Sequence, residues 1–243
     1  MTAAEISREE WIAAQKAHLE KEKELTRARD ALAAARRTLP RLRIDKAYAF
    51  RGPHGEVSLA DLFAGRSQLL VQHFMFAPEW EEGCVGCSFQ ADHVDAARQH
   101  FEQRDLSFAA VSRAPVEKIE AFRKRMGWRF TWVSSADSDF NYDFDVSFTP
   151  RQMAEGEVLY NYRLIESGSP DLPGISVFVR DEGGAIFRAA SYYGRGDEVL
   201  VGAYNYLDLT PKGRDETGAN GNLTDWVKHH DRYEAAGAHA CRC

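Results

Sequence analysis

The sequence predicts an α/β protein, one open sheet with helices on both faces. Three observations predict it. Short segments rich in β-formers alternate with helically spaced ones from Arg41 onward. The segment Leu106 to Ser112 is mostly apolar, as expected of a strand covered on both faces. Hydrophobic residues make up 44% of the 243 residues and charged residues 28%, a mix that supports a real core and excludes a disordered or disulfide-stapled chain.

The elements follow in order. Ser7-Arg-Glu-Glu10 spells a capping box, with the Ser7 hydroxyl accepting a free amide and Glu10 reaching back. From Glu9 to Leu39 the composition is that of one long helix or two shorter ones, and Pro40 stops it. Leu25, Leu32 and Leu39 repeat every seven residues, a narrow stripe that packs on the main domain or serves as a homodimer arm. Pro53 to Glu56 is a turn, and Val57 to Phe63 a short strand or helical turn. Gln68 to Phe76 reads as a strand, Ser88 to Arg104 as a helix, and Leu106 to Ser112 as a second strand. Pro115 to Met126 is helical, with Pro in the permitted first turn and Gly127 as its stop. Trp128 to Ser134 is a third strand, and residues 135–170 form an irregular insertion. Two strands, Gly174 to Arg180 and Ala185 to Arg188, flank the turn Asp181-Glu-Gly-Gly184 as a hairpin. A helix follows through Val199 to Tyr206. The expected organisation is an N-terminal helical arm (1–40), the α/β domain (41–212) and a C-terminal tail (213–243).

Composition also bounds the function. A net charge of −6 disfavours nucleic acid and anionic lipid, and no apolar run approaches the ~20 residues of a membrane-spanning helix. No basic stretch precedes an apolar one at the start, so the expected compartment is the cytoplasm. The four cysteines, Cys84, Cys87, Cys241 and Cys243, are too few to staple a chain of this size; in a reducing compartment such pairs mean redox chemistry or metal.

Cys84-Val-Gly-Cys87 lies just after a predicted strand and opens a predicted helix. Free amides and the positive helix end lower a thiol pKa there. The spacing also lets the second sulfur displace what the first has attacked. Cys84, the outer cysteine, is expected to attack and Cys87, one turn inside, to resolve. Glu81 and Glu82 oppose the helix end, so the sign of the net shift stays open.

At this point a resemblance becomes specific. Phe76-Ala-Pro-Glu-Trp-Glu-Glu-Gly-Cys-Val-Gly-Cys-Ser88 resembles the active-site segment of a bacterial thioredoxin-like family, domain of unknown function 899, described as predicted dithiol-disulfide oxidoreductases. Ala110 to Pro115, Met126 to Phe130, Ser138 to Phe144, Gly174 to Phe178 and Tyr204 to Asp215 extend the resemblance, which runs from about Ile44 to about Tyr233. It implies a thioredoxin-like fold, a central mixed sheet with helices on both faces, carrying an N-terminal helical extension. It also implies a thiol-disulfide substrate or reductase protein as partner. No GxGxxG opens a βα unit and Gly194-Arg-Gly196 is too short, so no dinucleotide cofactor is expected, and no metal. Trp80, Gly83, Arg113 and Pro173 are the candidate substrate contacts, Pro173 in the place where thioredoxin-like proteins set a cis proline facing the sulfurs.

Two alternatives remain open. A thiol peroxidase of peroxiredoxin type needs an arginine at the thiolate, and Arg113, at the carboxyl end of a predicted strand, is positioned for it. Yet Pro78 stands six residues before Cys84, and Glu81 occupies the place of the peroxidase threonine. A soft-metal or redox-sensing protein is the other; Cys241, Cys243 and His239 would add donors from a terminus better read as a frayed tail. His73 reads as a packed histidine, and Asp92 and His93 as a solvent face. Residues 139–144 read as a pocket roof or a packed loop.

Overall fold

A computed structural model describes residues 4–194, 196–214 and 225–234. The chain divides into two compact units, Met1–Arg41 and Leu42–Cys243. The first is a single helix, α1 (Arg8–Arg36), started by the expected capping box: Ser7 caps the Glu10 amide and the Glu10 side chain returns to Ser7. None of its residues is buried, and Trp11, Leu19, Leu25 and Leu32 are each about half exposed. Leu39 lies beyond the helix end, so only two of the three heptad leucines share its face.

The second unit runs β1 (Leu42–Arg43), β2 (Ala49–Gly52), β3 (Gly55–Ser58), a 3-10 turn (Asp61–Phe63), β4 (Gln68–His73), α2 (Val85–Ala91), α3 (Val94–Phe101), β5 (Leu106–Ser112), α4 (Val116–Arg125) and β6 (Thr131–Ser134). It continues with α5 (Phe140–Asp143), α6 (Pro150–Glu155), β7 (Val158–Tyr160), β8 (Arg163–Ile165), β9 (Gly174–Arg180), β10 (Ile186–Tyr192) and α7 (Gly202–Leu207). Eight strands form one sheet in the order β1-β10-β9-β4-β5-β6-β2-β3. Strands β4, β5 and β6 are parallel; β9 runs antiparallel to β4, and β10 antiparallel to β9. The segment β4–helix–β5–helix–β9–β10–helix, with central order β5-β4-β9-β10, is the thioredoxin-like fold.

The sheet is buried on both sides, and strand periodicity sorts the core. In β5, Ala109 and Val111 face one cluster, with Leu69, Val71, Phe140 and Phe178; Phe108 and Ala110 face the other, with Trp132, Ile119 and Phe122. Helices α2 and α4 cover the second side. The first is covered by the one-turn α5, the 3-10 turn and a group of aromatic rings.

Several expectations need correction. The helix expected over 88–104 breaks at Asp92–His93, because the His93 Nδ1–H donates to the Phe89 carbonyl (2.8 Å) and its Nε2 accepts from the Ala203 amide (2.9 Å). The helix expected from Val199 is a 3-10 turn (Glu198–Leu200) followed by α7. Pro115 caps α4 from outside, not from within its first turn. The insertion is not irregular. Thr149 and Gln152 form a second capping box with Pro150 at the first position of α6. Asn161 and Tyr162, both left-handed, then make the tight turn of the β7–β8 hairpin.

Phe140 is fully buried, with the rings of Tyr48, Phe50, Phe144 and Phe178 packed around it. Replacing it with alanine should cost about 3–5 kcal/mol. In urea, the unfolding midpoint should fall by the corresponding amount with the slope unchanged.

Candidate active site

After β4 the chain keeps pairing with β5: Phe74 donates to the Val111 carbonyl (2.9 Å), and Ala114 donates to that of Phe76 (2.7 Å). This extension puts Met75 beside the motif. The Met75 carbonyl accepts from the Cys84 amide (3.0 Å), and the Met75 amide donates to Cys87 Sγ (3.5 Å). Cys84 occupies the cap position of α2, and its Sγ accepts from the Cys87 amide (3.5 Å). The sulfur thus does what a capping oxygen does, satisfying an amide the first helical turn leaves free. Gln72 donates to the Cys87 carbonyl (3.0 Å), and both the amide and hydroxyl of Ser88 donate to that of Cys84. Both thiols are free; Cys84 is partly exposed and Cys87 buried.

This geometry separates the two sulfurs chemically. The Cys87 thiol donates to Cys84 Sγ and lowers its pKa most; burial pulls the other way, and the amides of Cys87 and Gly86 help bring it to about 7. The same hydrogen bond, then burial, pushes Cys87 well above the ordinary thiol range. The opposition expected from Glu81 and Glu82 is absent. Glu82 pairs with Arg125 (2.6 Å) and with Arg232, and exposed Glu81 lies 3.5 Å from Lys118. Neither contributes to the Cys84 shift.

The loop before the motif is tied down from the C-terminal segment, expected as a tail. His229 Nε2–H donates to the Gly83 carbonyl (2.9 Å), Arg125 pairs with Asp231 (2.7 Å), and Trp226 and Val227 pack with Phe89 and Tyr204. Gly83 itself is buried, and a Cβ there would stand 2.7 Å from the Phe74 ring. Its place is one of close packing.

A cavity of about 330 Å³ opens beside the motif, walled by Cys84, Cys87, Phe89, Pro173, Asp197 and Tyr204. Pro173 thus lines the same cavity as the two sulfurs, and no peptide bond among the described residues is cis. Its carbonyl accepts from the Tyr160 hydroxyl (2.7 Å).

The other candidates lie elsewhere. Trp80 is partly buried against the α4-side core and does not line the cavity; its carbonyl holds Lys118 (3.0 Å). Arg113 is committed to Asp171 through two hydrogen bonds (2.8 and 2.6 Å) and to the Tyr142 hydroxyl (3.2 Å), away from the cavity.

His73 is buried, donates to or accepts from Ser176 Oγ (2.8 Å), and is driven by burial down to about 3, a neutral packed ring. Asp92 and His93 are no solvent face, since Asp92 accepts from the Trp128 indole (2.8 Å) and binds His230 (2.6 Å). In 139–144, Phe140 and Phe144 enter the core while Asp139 and Asp143 hold Lys46. Cys241, Cys243 and His239 lie outside the described residues.

Among the described residues no three His, Cys, Asp or Glu side chains cluster as metal donors, and no helix is long and apolar enough to cross a membrane. Sequence reasoning missed Asp197, Gln90 and His229. Asp197 sits just past Gly194-Arg-Gly196, with no local signal to mark it. No local signal marks His229.

Two outcomes follow from this geometry. Alkylation of Cys84 should rise with pH through about 7, because the reactive thiolate forms as pH climbs past the lowered pKa; Cys87→Ala removes the largest lowering contact and should move the midpoint upward. Gly83→Ala should destabilise the protein by about 1–3 kcal/mol in a urea titration, since the Phe74 ring must shift.

The chain is similar to peroxiredoxin Q of Xanthomonas campestris (17% identity over 67% of this chain and 92% of that one, TM-score 0.43). A peroxidoxin of Mycobacterium tuberculosis shares 16% identity over 64% and 90% (TM-score 0.42). A putative thioredoxin of Neisseria meningitidis shares 18% over 69% and 89% (TM-score 0.39). No curated protein matches the chain. The profile described as "Bacterial protein of unknown function (DUF899)" matches residues 1–233, nearly the full length, and the chain belongs to that family.

Proposed function

We propose that the protein is a dithiol-disulfide oxidoreductase in which Cys84 attacks and Cys87 resolves. One observation carries the reading: two unbonded thiols one helical turn apart, the outer one held at about 7 and facing a cavity, the inner one buried and protonated. The Cys84 thiolate attacks one sulfur of a disulfide RS–SR, forming Cys84–S–SR and releasing RS⁻, which takes a proton. Loss of the thiolate removes the hydrogen-bond acceptor that kept Cys87 protonated. Cys87 then gives up its proton, and its sulfur displaces the second RS⁻ to form the Cys84–Cys87 disulfide. Two electrons pass to the substrate, and a small thiol or a reductase protein returns them.

The peroxidase alternative loses its main support, since the Arg113 guanidinium is occupied by Asp171. Peroxide consumption that disappears in Cys84→Ser but persists in Cys87→Ser with added thiol would favour that alternative instead.

A redox titration of the pair tests the proposal. The expected result is a reversible two-electron couple lost in either single Cys→Ser variant, with Cys87→Ser retaining a mixed disulfide on Cys84 that a thiol releases. If the two sulfurs never join under an oxidising glutathione buffer and no adduct forms on Cys84, the oxidoreductase reading fails.

A further inference from the structure

The cavity beside Cys84 has more character than thiol exchange requires. At about 330 Å³ it lies at the small end of small-molecule sites, roughly 300–1,000 Å³, and suits a compact ligand better than a peptide loop. Its walls are mainly apolar, from Phe89, Pro173, Val201 and Tyr204. Among the described residues no lysine or arginine lines it, whereas two carboxylates do, Asp197 and Glu198.

The two differ in their company. Glu198 lies 3.9 Å from Arg214, whose guanidinium also stacks over the Tyr204 ring. Asp197 is half-buried and forms no ion pair among the described residues; its partner is the neutral Gln90 amide (3.1 Å), one helical turn beyond Cys87. Burial raises the Asp197 pKa, the sign of a carboxylate short of compensation. A cation entering this cavity would supply that compensation, and an anion would meet repulsion within a largely apolar wall.

We propose that the cavity selects small disulfides bearing a positively charged group, and that Asp197 is the residue conferring the preference. This rests on the thiol-exchange reading above. The disulfide places one sulfur at Cys84 and its cationic arm toward Asp197. The chemistry is unchanged: RS–SR accepts two electrons and leaves as two RSH, while Cys84 and Cys87 become a disulfide that an added small thiol reduces.

The test uses the full-length reduced protein and three symmetrical disulfides of similar size: cystamine (dication), 2-hydroxyethyl disulfide (neutral) and dithiodiglycolate (dianion). Each rate of protein dithiol oxidation is divided by the rate of that probe with dithiothreitol, which removes intrinsic differences in sulfur reactivity. Cystamine should react about tenfold faster than the neutral probe, and dithiodiglycolate slower. Asp197→Asn, which keeps the Gln90 hydrogen bond, should erase most of the gap, while Glu198→Gln leaves it largely intact. In the unaltered protein the gap should also narrow as salt is raised, a readout independent of any variant's folding. Equal normalised rates for all three probes overturn the selectivity and leave thiol exchange standing. A gap that survives Asp197→Asn overturns the role of Asp197. If none of the probes oxidises the pair, thiol exchange itself fails.

Discussion

Met75, one residue past the buried end of β4 and Phe74, holds both halves of the motif. Its carbonyl accepts from the Cys84 amide and its own amide reaches Cys87 Sγ. A backbone unit in a ladder with β5 is among the stiffest fixtures a protein offers, and here it sets the two sulfurs relative to each other and to the sheet. The start of α2, the exposure of Cys84, the burial of Cys87 and the cavity between the helix and Pro173 all depend on that attachment. The side chains of Gln72 and Ser88 reinforce it by satisfying the carbonyls of Cys87 and Cys84.

Electrostatics around the motif arise from two ends of the chain. Hydrogen bonds to sulfur, together with the amides of Cys87 and Gly86, favour a thiolate at Cys84, and burial disfavours charge at Cys87. Acidic residues just upstream could have cancelled the first effect. They do not, because Arg125 from α4 and Arg232 from the C-terminal segment take up Glu82, while Glu81 stays in solvent near Lys118. His229 fixes the Gly83 carbonyl at the same junction. A segment more than 140 residues downstream thereby conditions the chemistry of a local motif.

How far the site could be read beforehand depends on the range of each interaction. The positions of Cys84 and Cys87, outer and inner, were legible because strand, motif and helix are contiguous. Pro173 was legible as a loop preceding a hairpin strand. Arg113 was placed at the right end of β5, but its partner Asp171 lies 58 residues on and no pattern announces the pair. The sign of the Cys84 shift was unreadable for the same reason, since it depends on where Glu82 points. The break at Asp92–His93 needed Ala203 as a partner for His93. Only the second capping box, Thr149 to Gln152, was in plain view within an insertion otherwise read as irregular.

The amino-acid sequence alone determined the alternation of strands and helices, the double-sided burial of β5, the capped N-terminal helix and the Cys-x-x-Cys pair at a helix start. These follow from periodicity, capping and turn chemistry, which act over a few neighbouring residues. Tertiary structure alone decided which charges neutralise one another, which carboxylate faces the cavity, and which arginine is already occupied. Those outcomes depend on distances of a few ångströms between residues far apart in the chain. Local rules say nothing about such pairs until the sheet has brought them together.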